Sequence, residues 1–100
     1  MLLTHALALA EARSHVASLA DLAVSIDASL AYERTLVYLD SLHSDGVPAI
    51  DTTGLLHDPG ELYGVAESAI EDLVGHGVDA LQVELVLAML EDARHLYIPA

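Results

Sequence analysis

The sequence contains no cysteine, lysine, tryptophan or phenylalanine, and these absences narrow what the chain can do. Without cysteine, disulfide bonds, thiol chemistry and cysteine-ligated metals are excluded. Three arginines stand against sixteen acids, which gives a net charge of −13 at pH 7. Phosphate binding requires a basic footprint, so nucleic acids and anionic membranes would be repelled. We therefore expect no nucleic-acid partner and no membrane partner.

Long apolar runs and a basic leader are also missing. No apolar stretch approaches the roughly 20 residues that a membrane-spanning helix needs. The opening MLLTHALALAEA has no Lys or Arg before its apolar residues, and Thr4 and His5 interrupt it. These features favour the first turns of a helix over a signal peptide. We expect a cytoplasmic protein.

Apolar residues, by contrast, are abundant and make up 54% of the 100 residues. The length suits one helical domain over residues 1–100 with a single modest core. An apolar content this high in so small a chain exceeds what one interior readily covers. Excess apolar surface usually marks a contact site, and homo-oligomers are its commonest outlet. The composition therefore predicts a homodimer.

Apolar residues recur every three or four positions along most of the chain, which indicates helices. Residues 25–29 hold cap-favouring side chains but no Gly or Pro, so residues 3–43 fit either two helices or one rod of about 60 Å. Two helices are favoured, because such a rod far exceeds the usual helix length. The prediction is an all-α bundle of four helices, at about residues 3–25, 28–43, 60–75 and 79–96.

Local capping signals define the C-terminal half most sharply. Asp58-Pro59-Gly60-Glu61 reads as a capping box with proline at the first helical position. Gly75-His76-Gly77 ends that third helix. Asp79, with Gln82 three residues later, begins the fourth. The two helices are predicted to form an antiparallel hairpin with a short turn.

The fourth helix is apolar around most of its circumference. A helix of this kind is buried on nearly all sides, so it lies either at the centre of the bundle or at a subunit interface. We expect it to contribute to the dimer contact. The predicted interface residues are Leu81, Leu85, Val86, Met89, Leu90 and Tyr97.

Residues 47–57 form the one sizeable predicted loop. Its apolar side chains are expected to hold it against the bundle. Long loops often carry function, but they also serve as connections. The sequence does not decide whether this loop is a lid, a strap or a recognition element. The apolar residues expected to anchor it are Val47, Ile50, Leu55 and Leu56. Among His43, His57 and His76, only His57, which belongs to this loop, is in a plausible pocket position.

Two Glu/His pairs at i and i+4, Glu11 with His15 and Glu91 with His95, are the candidate metal ligands. Each pair shares one helix face and together they could supply two nitrogen and two oxygen ligands. Both pairs lie on polar stripes expected to face water, and each has an arginine nearby. We therefore expect no metal site and no cofactor, and an ordinary solvated surface at these positions.

No constellation in the sequence predicts catalysis. Glu71-Asp72 and Glu91-Asp92 diverge by about 100° on a helix, so neither is a preformed carboxylate dyad. His43-Ser44-Asp45 is too local for a catalytic triad. No nucleophile elbow or dinucleotide fingerprint occurs. His43 and His76 are expected to cap helix C-termini.

Acids on the third helix suggest a docking surface for a basic partner. The sequence therefore predicts a small acidic protein-interaction module of inhibitor, antitoxin, immunity or adaptor type, without enzymatic activity. Simple solubility is the competing explanation of the charge. The competing function is a metal- or small-ligand-binding bundle that uses the Glu/His pairs, with or without catalysis. The predicted acidic docking face consists of Glu61, Glu67, Glu71 and Asp72.

Overall fold

In the part of the chain that the structure describes, four α-helices and one short 3₁₀ helix pack against one another. The computed structural model describes residues 3–43, 46–55 and 58–97. The predicted all-α fold is confirmed, with no strand in the described residues. None of the described helices is long and apolar enough to cross a bilayer. In chain order the elements are α1 (Leu3–Leu22), α2 (Ile26–Ser41), α3 (Pro59–Asp72), the 3₁₀ helix (Leu73–His76) and α4 (Ala80–Tyr97).

The junction between the first two helices is a true break. Ser25 has extended backbone geometry, with φ −125° and ψ 153°, and its hydroxyl accepts a hydrogen bond from the amide of Ala28 at 3.1 Å. A serine in this geometry satisfies one of the free amides at a helix start. The two-helix prediction is therefore confirmed, and α2 begins two residues earlier than expected, at Ile26.

The C-terminal hairpin follows its capping signals with one exception. Gly77 adopts the left-handed conformation, at φ 94°, which ends the 3₁₀ helix. The carboxylate of Asp79 accepts hydrogen bonds from the amides of Leu81 (2.8 Å) and Gln82 (3.3 Å), as an N-cap does. Asp58 occupies the N-cap position of α3, but its side chain makes no capping hydrogen bond.

The centre of the bundle is occupied by α1. It packs against α2, α3 and the 3₁₀ helix. All five residues from Ala12 to Val16 are buried. Successive residues are about 100° apart, so five of them pass completely around the helix. This part of α1 is enclosed on every side, and the central position that the sequence suggested for the fourth helix belongs to the first.

Only one side of α4 is buried. Val83, Val86, Leu90 and Ala93 are at most 2% exposed, and their spacing of three and four residues marks a single helical stripe. This stripe packs against α2 and α3, and no contact joins α4 to α1 among the described residues. The opposite side keeps large apolar residues in solvent, so α4 forms an outer wall of the bundle.

Residues 46–55 cross over α1 and are held there by polar contacts. The Arg13 guanidinium donates a hydrogen bond to the carbonyl of Pro48. The Ser14 hydroxyl accepts one from the amide of Asp51, at 3.1 Å. Two buried polar side chains of α1 thus satisfy backbone groups of the loop, which would otherwise lose their hydrogen bonds to water. In its described part the loop is a strap.

The predicted apolar anchors of this loop have different outcomes. Val47 and Ile50 remain 37% and 40% exposed. Leu55 does pack against the core, beside a turn that Gly54 closes at φ 77°. Leu56 and His57 lie outside the described residues. Polar anchoring prevails because a crossing loop brings backbone donors and acceptors toward α1, and these require partners.

Candidate functional site

The predicted acidic docking face lies on the outer side of α3. The helix buries Leu62, Tyr63, Ala66, Ala69 and Ile70, while the four acids of the face are exposed. At 3.6 residues per turn the four carboxylates fall within an arc of about 140° and extend over about 16 Å of helix. None of them has an ion pair or a hydrogen bond to another described residue. The face is therefore open and unneutralised.

A shallow groove between α1 and α3 extends this face. It has a volume of about 600 Å³ and is lined by Glu11, Glu61, Gly64, Val65 and Ser68. Glu11 thus stands across the groove from an acid of α3. Side chains from two helices contribute negative charge to one concave surface, which suits an extended basic segment.

Tyr63 and Arg94 mark the boundary of the acidic face toward α4. The Arg94 guanidinium carbon lies 4.7 Å from the centre of the Tyr63 ring, a cation–π contact. Burial raises the pKa of the Tyr63 hydroxyl, Glu67 and Glu91 raise it further, and Arg94 opposes them. The negative potential of Glu67 therefore reaches this edge, where one arginine partly offsets it.

A second surface, formed by α2 and α4, is apolar. A groove of about 480 Å³ lies there, lined by residues of α2 and by Met89 of α4. Leu30 and Val37 line it and are 42% and 68% exposed. Among the described residues that line it, Glu33 and Arg34 are the charged ones. We call this surface, with the neighbouring exposed parts of the two helices, the α2–α4 face. Leu30 and Val37 line its groove, and the further exposed apolar residues of α2 and α4 that we assign to it are Ile26, Leu81 and Leu85.

The predicted dimer-interface residues divide between the core and this face. Val86 and Leu90 are 0% exposed within their own chain and cannot contact a partner. Leu81 and Leu85 are 76% and 48% exposed. Met89 is half-buried at the groove. The side chain of Tyr97 lies outside the described residues.

The three arginines occupy different environments. Arg13 is buried and forms two hydrogen bonds with the Asp40 carboxylate, at 2.7 and 3.1 Å. Arg94 lies over Tyr63. Arg34 is exposed beside the apolar groove and has no hydrogen bond or ion pair to another described residue. Arg13 is therefore structural, whereas Arg34 is available to a partner.

The two predicted Glu/His pairs are not brought together. Glu11 and His15 belong to α1, Glu91 and His95 to α4, and these helices make no contact among the described residues. His15 is buried rather than solvated, and its Nδ1 lies 2.7 Å from the carbonyl oxygen of Glu11. Its burial follows from the enclosure of α1. Glu91 and His95 are exposed, as expected.

Three other histidines converge at one end of the bundle. His5 lies in the first turns of α1, His43 follows α2, and His76 ends the 3₁₀ helix; all three are half-buried. The Nε2 atoms of His5 and His43 are 3.1 Å apart. The His5 and His76 rings stack with centres 5.4 Å apart and planes 10° from parallel. We call these three residues the histidine cluster.

The histidine cluster escaped sequence reasoning because its members are far apart in the chain. The prediction that His43 caps a helix C-terminus agrees with the structure, since its Nδ1 lies 3.0 Å from the carbonyl oxygen of Leu39. No local sequence pattern around His5 indicated that it would meet other histidines. The one available hint was the number of histidines, six in 100 residues. Their meeting depends on how α1 packs against α2 and the 3₁₀ helix, which no local pattern encodes.

Comparison with known proteins adds no assignment to these surfaces. No protein-family model, no curated protein and no solved structure matches the chain. Within the described residues, no group of three or more His, Cys, Asp or Glu is arranged to hold a metal ion.

Proposed function

We propose that this chain is an acidic protein-interaction module that acts as a homodimer and binds a basic protein partner, without catalysing a reaction. The observation that carries the proposal is the outer face of α3, where four exposed carboxylates share one arc and lack partners among the described residues. Such a face attracts a complementary basic surface and speeds the encounter. Inhibitors, antitoxins, immunity proteins and adaptors fit this description.

The placement of the arginines supports a localised acidic face rather than diffuse charge. Arg13 forms an ion pair with Asp40, and Arg34 lies on α2 beside the apolar groove. Arg94 reaches only the edge of the face, at Tyr63. The middle of the α3 surface therefore keeps its full negative charge. Because exposed charges are screened by salt, binding through this face weakens as ionic strength rises.

A pair of charge-matched variants tests the acidic face. A synthetic arginine-rich helical peptide serves as the basic probe, and its affinity is measured by fluorescence anisotropy at low and high salt. The variant E67Q/E71Q/D72N removes three carboxylates from α3. The control D21N/E84Q/D92N removes three exposed carboxylates from α1 and α4, so both variants have the same net charge.

The proposal predicts that the α3 variant loses most of its affinity while the control retains nearly all of it. Affinity of the parent protein should also fall as salt is raised. Equal weakening in the two variants would show that the peptide senses only net charge. That result would contradict a specific docking face on α3.

The α2–α4 face supports the homodimer. Leu81, Val37 and Leu85 keep 76%, 68% and 48% of their surface in solvent. Completely burying one such side chain contributes about 1.5–3 kcal/mol, so leaving several exposed favours association. A second copy fits the charges as well: around a two-fold axis Arg34 of each chain can approach Glu33 of the other, and both residues line the groove.

Sedimentation velocity on three single variants tests the dimer. V37E and L85E introduce a carboxylate into the α2–α4 face, whereas L7E introduces the same charge at an exposed leucine of α1, 61% in solvent. The parent and L7E should sediment as dimers, and V37E and L85E as monomers. Because each chain carries a charge of −13, added salt should tighten the dimer. A monomeric parent at all concentrations and salt levels would contradict this part of the proposal.

A further inference from the structure

The histidine cluster has the features of a small metal site, beginning with the orientation of His43. Its Nδ1 lies 3.0 Å from the carbonyl oxygen of Leu39, and a carbonyl oxygen only accepts hydrogen bonds. Nδ1 therefore carries the proton, and Nε2 presents the lone pair of the ring. A metal-binding histidine almost always donates its second ring N–H in this way, because the bond fixes the tautomer and the ring.

The distance between His5 and His43 matches that of two ligands on one ion. Tetrahedral zinc binds imidazole nitrogen at about 2.0–2.1 Å, which places two ligand nitrogens about 3.3 Å apart. The Nε2 atoms of His5 and His43 are 3.1 Å apart, within a few tenths of an ångström of that value. Without an ion, the same atoms share one hydrogen bond that His5 donates. Binding requires only that the His5 proton move to its Nδ1.

The His76 ring stacks parallel to His5 and covers one side of it, so we assign His76 to packing and not to ligation.

We propose that His5 and His43 together bind one divalent transition-metal ion of the zinc, copper and nickel class, with water completing the coordination. Imidazole nitrogen suits these metals. Two protein ligands leave the site open, and the described residues supply no three-ligand group. The ion would join the start of α1 to the end of α2, so binding should stabilise the folded chain. This site is distinct from the Glu11/His15 and Glu91/His95 pairs.

Isothermal titration of tag-free, chelator-treated protein with zinc chloride tests the site. The parent should bind one ion per chain, and H5A and H43A should each weaken binding by at least about tenfold. The matched control is H95A, which removes an exposed histidine of α4 and should bind zinc as the parent does. Electron paramagnetic resonance of the parent with one equivalent of Cu²⁺ should show two nitrogen ligands, a readout that needs no variant to fold.

Three results would overturn the proposal. The first is a parent protein that binds no ion saturably. The second is zinc binding by H5A and H43A that is as tight as in the parent, which would assign binding to surface carboxylates. The third is a copper spectrum that shows only oxygen ligands.

Discussion

In α1 and α4, burial does not follow the apolar content of the helix. Around its middle α1 carries Arg13, Ser14 and His15, yet all three are buried. Leucine and valine surround much of α4, yet Leu81, Leu85 and Leu96 remain 76%, 48% and 52% exposed. The difference shows that neighbours, and not apolar content, decide which helix is central.

Arg13, Ser14 and His15 can be buried in α1 because each has a hydrogen-bond partner. Arg13 bonds to Asp40 and to the carbonyl of Pro48, and Ser14 bonds to the amide of Asp51. No buried side-chain polar atom among the described residues lacks a hydrogen bond. Because these polar side chains are hydrogen-bonded, other elements can approach α1 from all sides. The surplus apolar surface of α4 stays exposed in this chain.

The largest effect should come from the buried stripe of α4. Replacing Leu90, which is fully buried, by alanine should lower the free energy of unfolding by about 2–5 kcal/mol, because it leaves a cavity. The matched change L81A, at a residue 76% exposed, should alter the stability of the monomer by less than about 0.5 kcal/mol. Urea denaturation at low protein concentration measures both. Similar losses in the two variants would contradict the one-sided burial of α4.

A smaller but still large loss should follow from removing the buried cation of α1. R13M leaves Asp40 without its ion pair and Pro48 without its donor, and should cost about 3 kcal/mol. This value is at the low end for a broken buried pair, because the Asp40 side chain keeps 29% of its surface in water. R34M, at the exposed arginine of α2, is the control and should be nearly neutral in the same urea experiment. Equal stability of the R13M and R34M variants would contradict the placement of Arg13 in the core.

Substitution of Ser14 tests one hydrogen bond of the strap, residues 46–55, and should cost less stability than R13M. In S14A the amide of Asp51 loses its acceptor, at a cost of about 1 kcal/mol. The exposed Ser68 on α3 provides the control S68A, with an expected change near zero. Hydrogen exchange should also quicken at the Asp51 amide in S14A and stay unchanged in S68A. An unaltered rate in S14A would mean that the strap is held elsewhere.

The smallest effect concerns the edge between α3 and α4 at high pH. Burial raises the pKa of Tyr63, so the folded state favours its neutral hydroxyl. This stability is fully present below about pH 10, the pKa of an unperturbed tyrosine, and is lost as the pH rises through the folded value. Y63F should therefore lose less stability than the parent on going from neutral to strongly alkaline solution, as followed by urea denaturation. Parallel losses in the two proteins would argue against the burial of this hydroxyl.

The elements of this fold could largely be predicted from local signals. Gly77 after the 3₁₀ helix, Asp79 before α4 and Ser25 before α2 each act through residues at most four positions away. Helix periodicity and capping are local, so the sequence displays them directly. The acidic stripe of α3 was equally visible, because its arc depends only on the helical repeat.

What could not be predicted depends on contacts between distant elements. The enclosure of α1 requires α2, α3 and the strap at once, and the polar stripe of α1 pointed the other way. His5 and His43 are 38 residues apart and meet only in the packed bundle. The α2–α4 face likewise arises because two outward stripes become neighbours. Each stripe alone is an ordinary amphipathic surface.

Hydrogen exchange of the parent protein at low and high concentration tests the central claim most directly. If α1 is sealed by its own chain and the α2–α4 face by a second copy, amides of α1 should be strongly protected at both concentrations. Amides of α2 and α4 should gain protection as the concentration rises. Protection of α2 and α4 that does not change with concentration, or α1 amides that exchange faster than those of α4, would contradict the account.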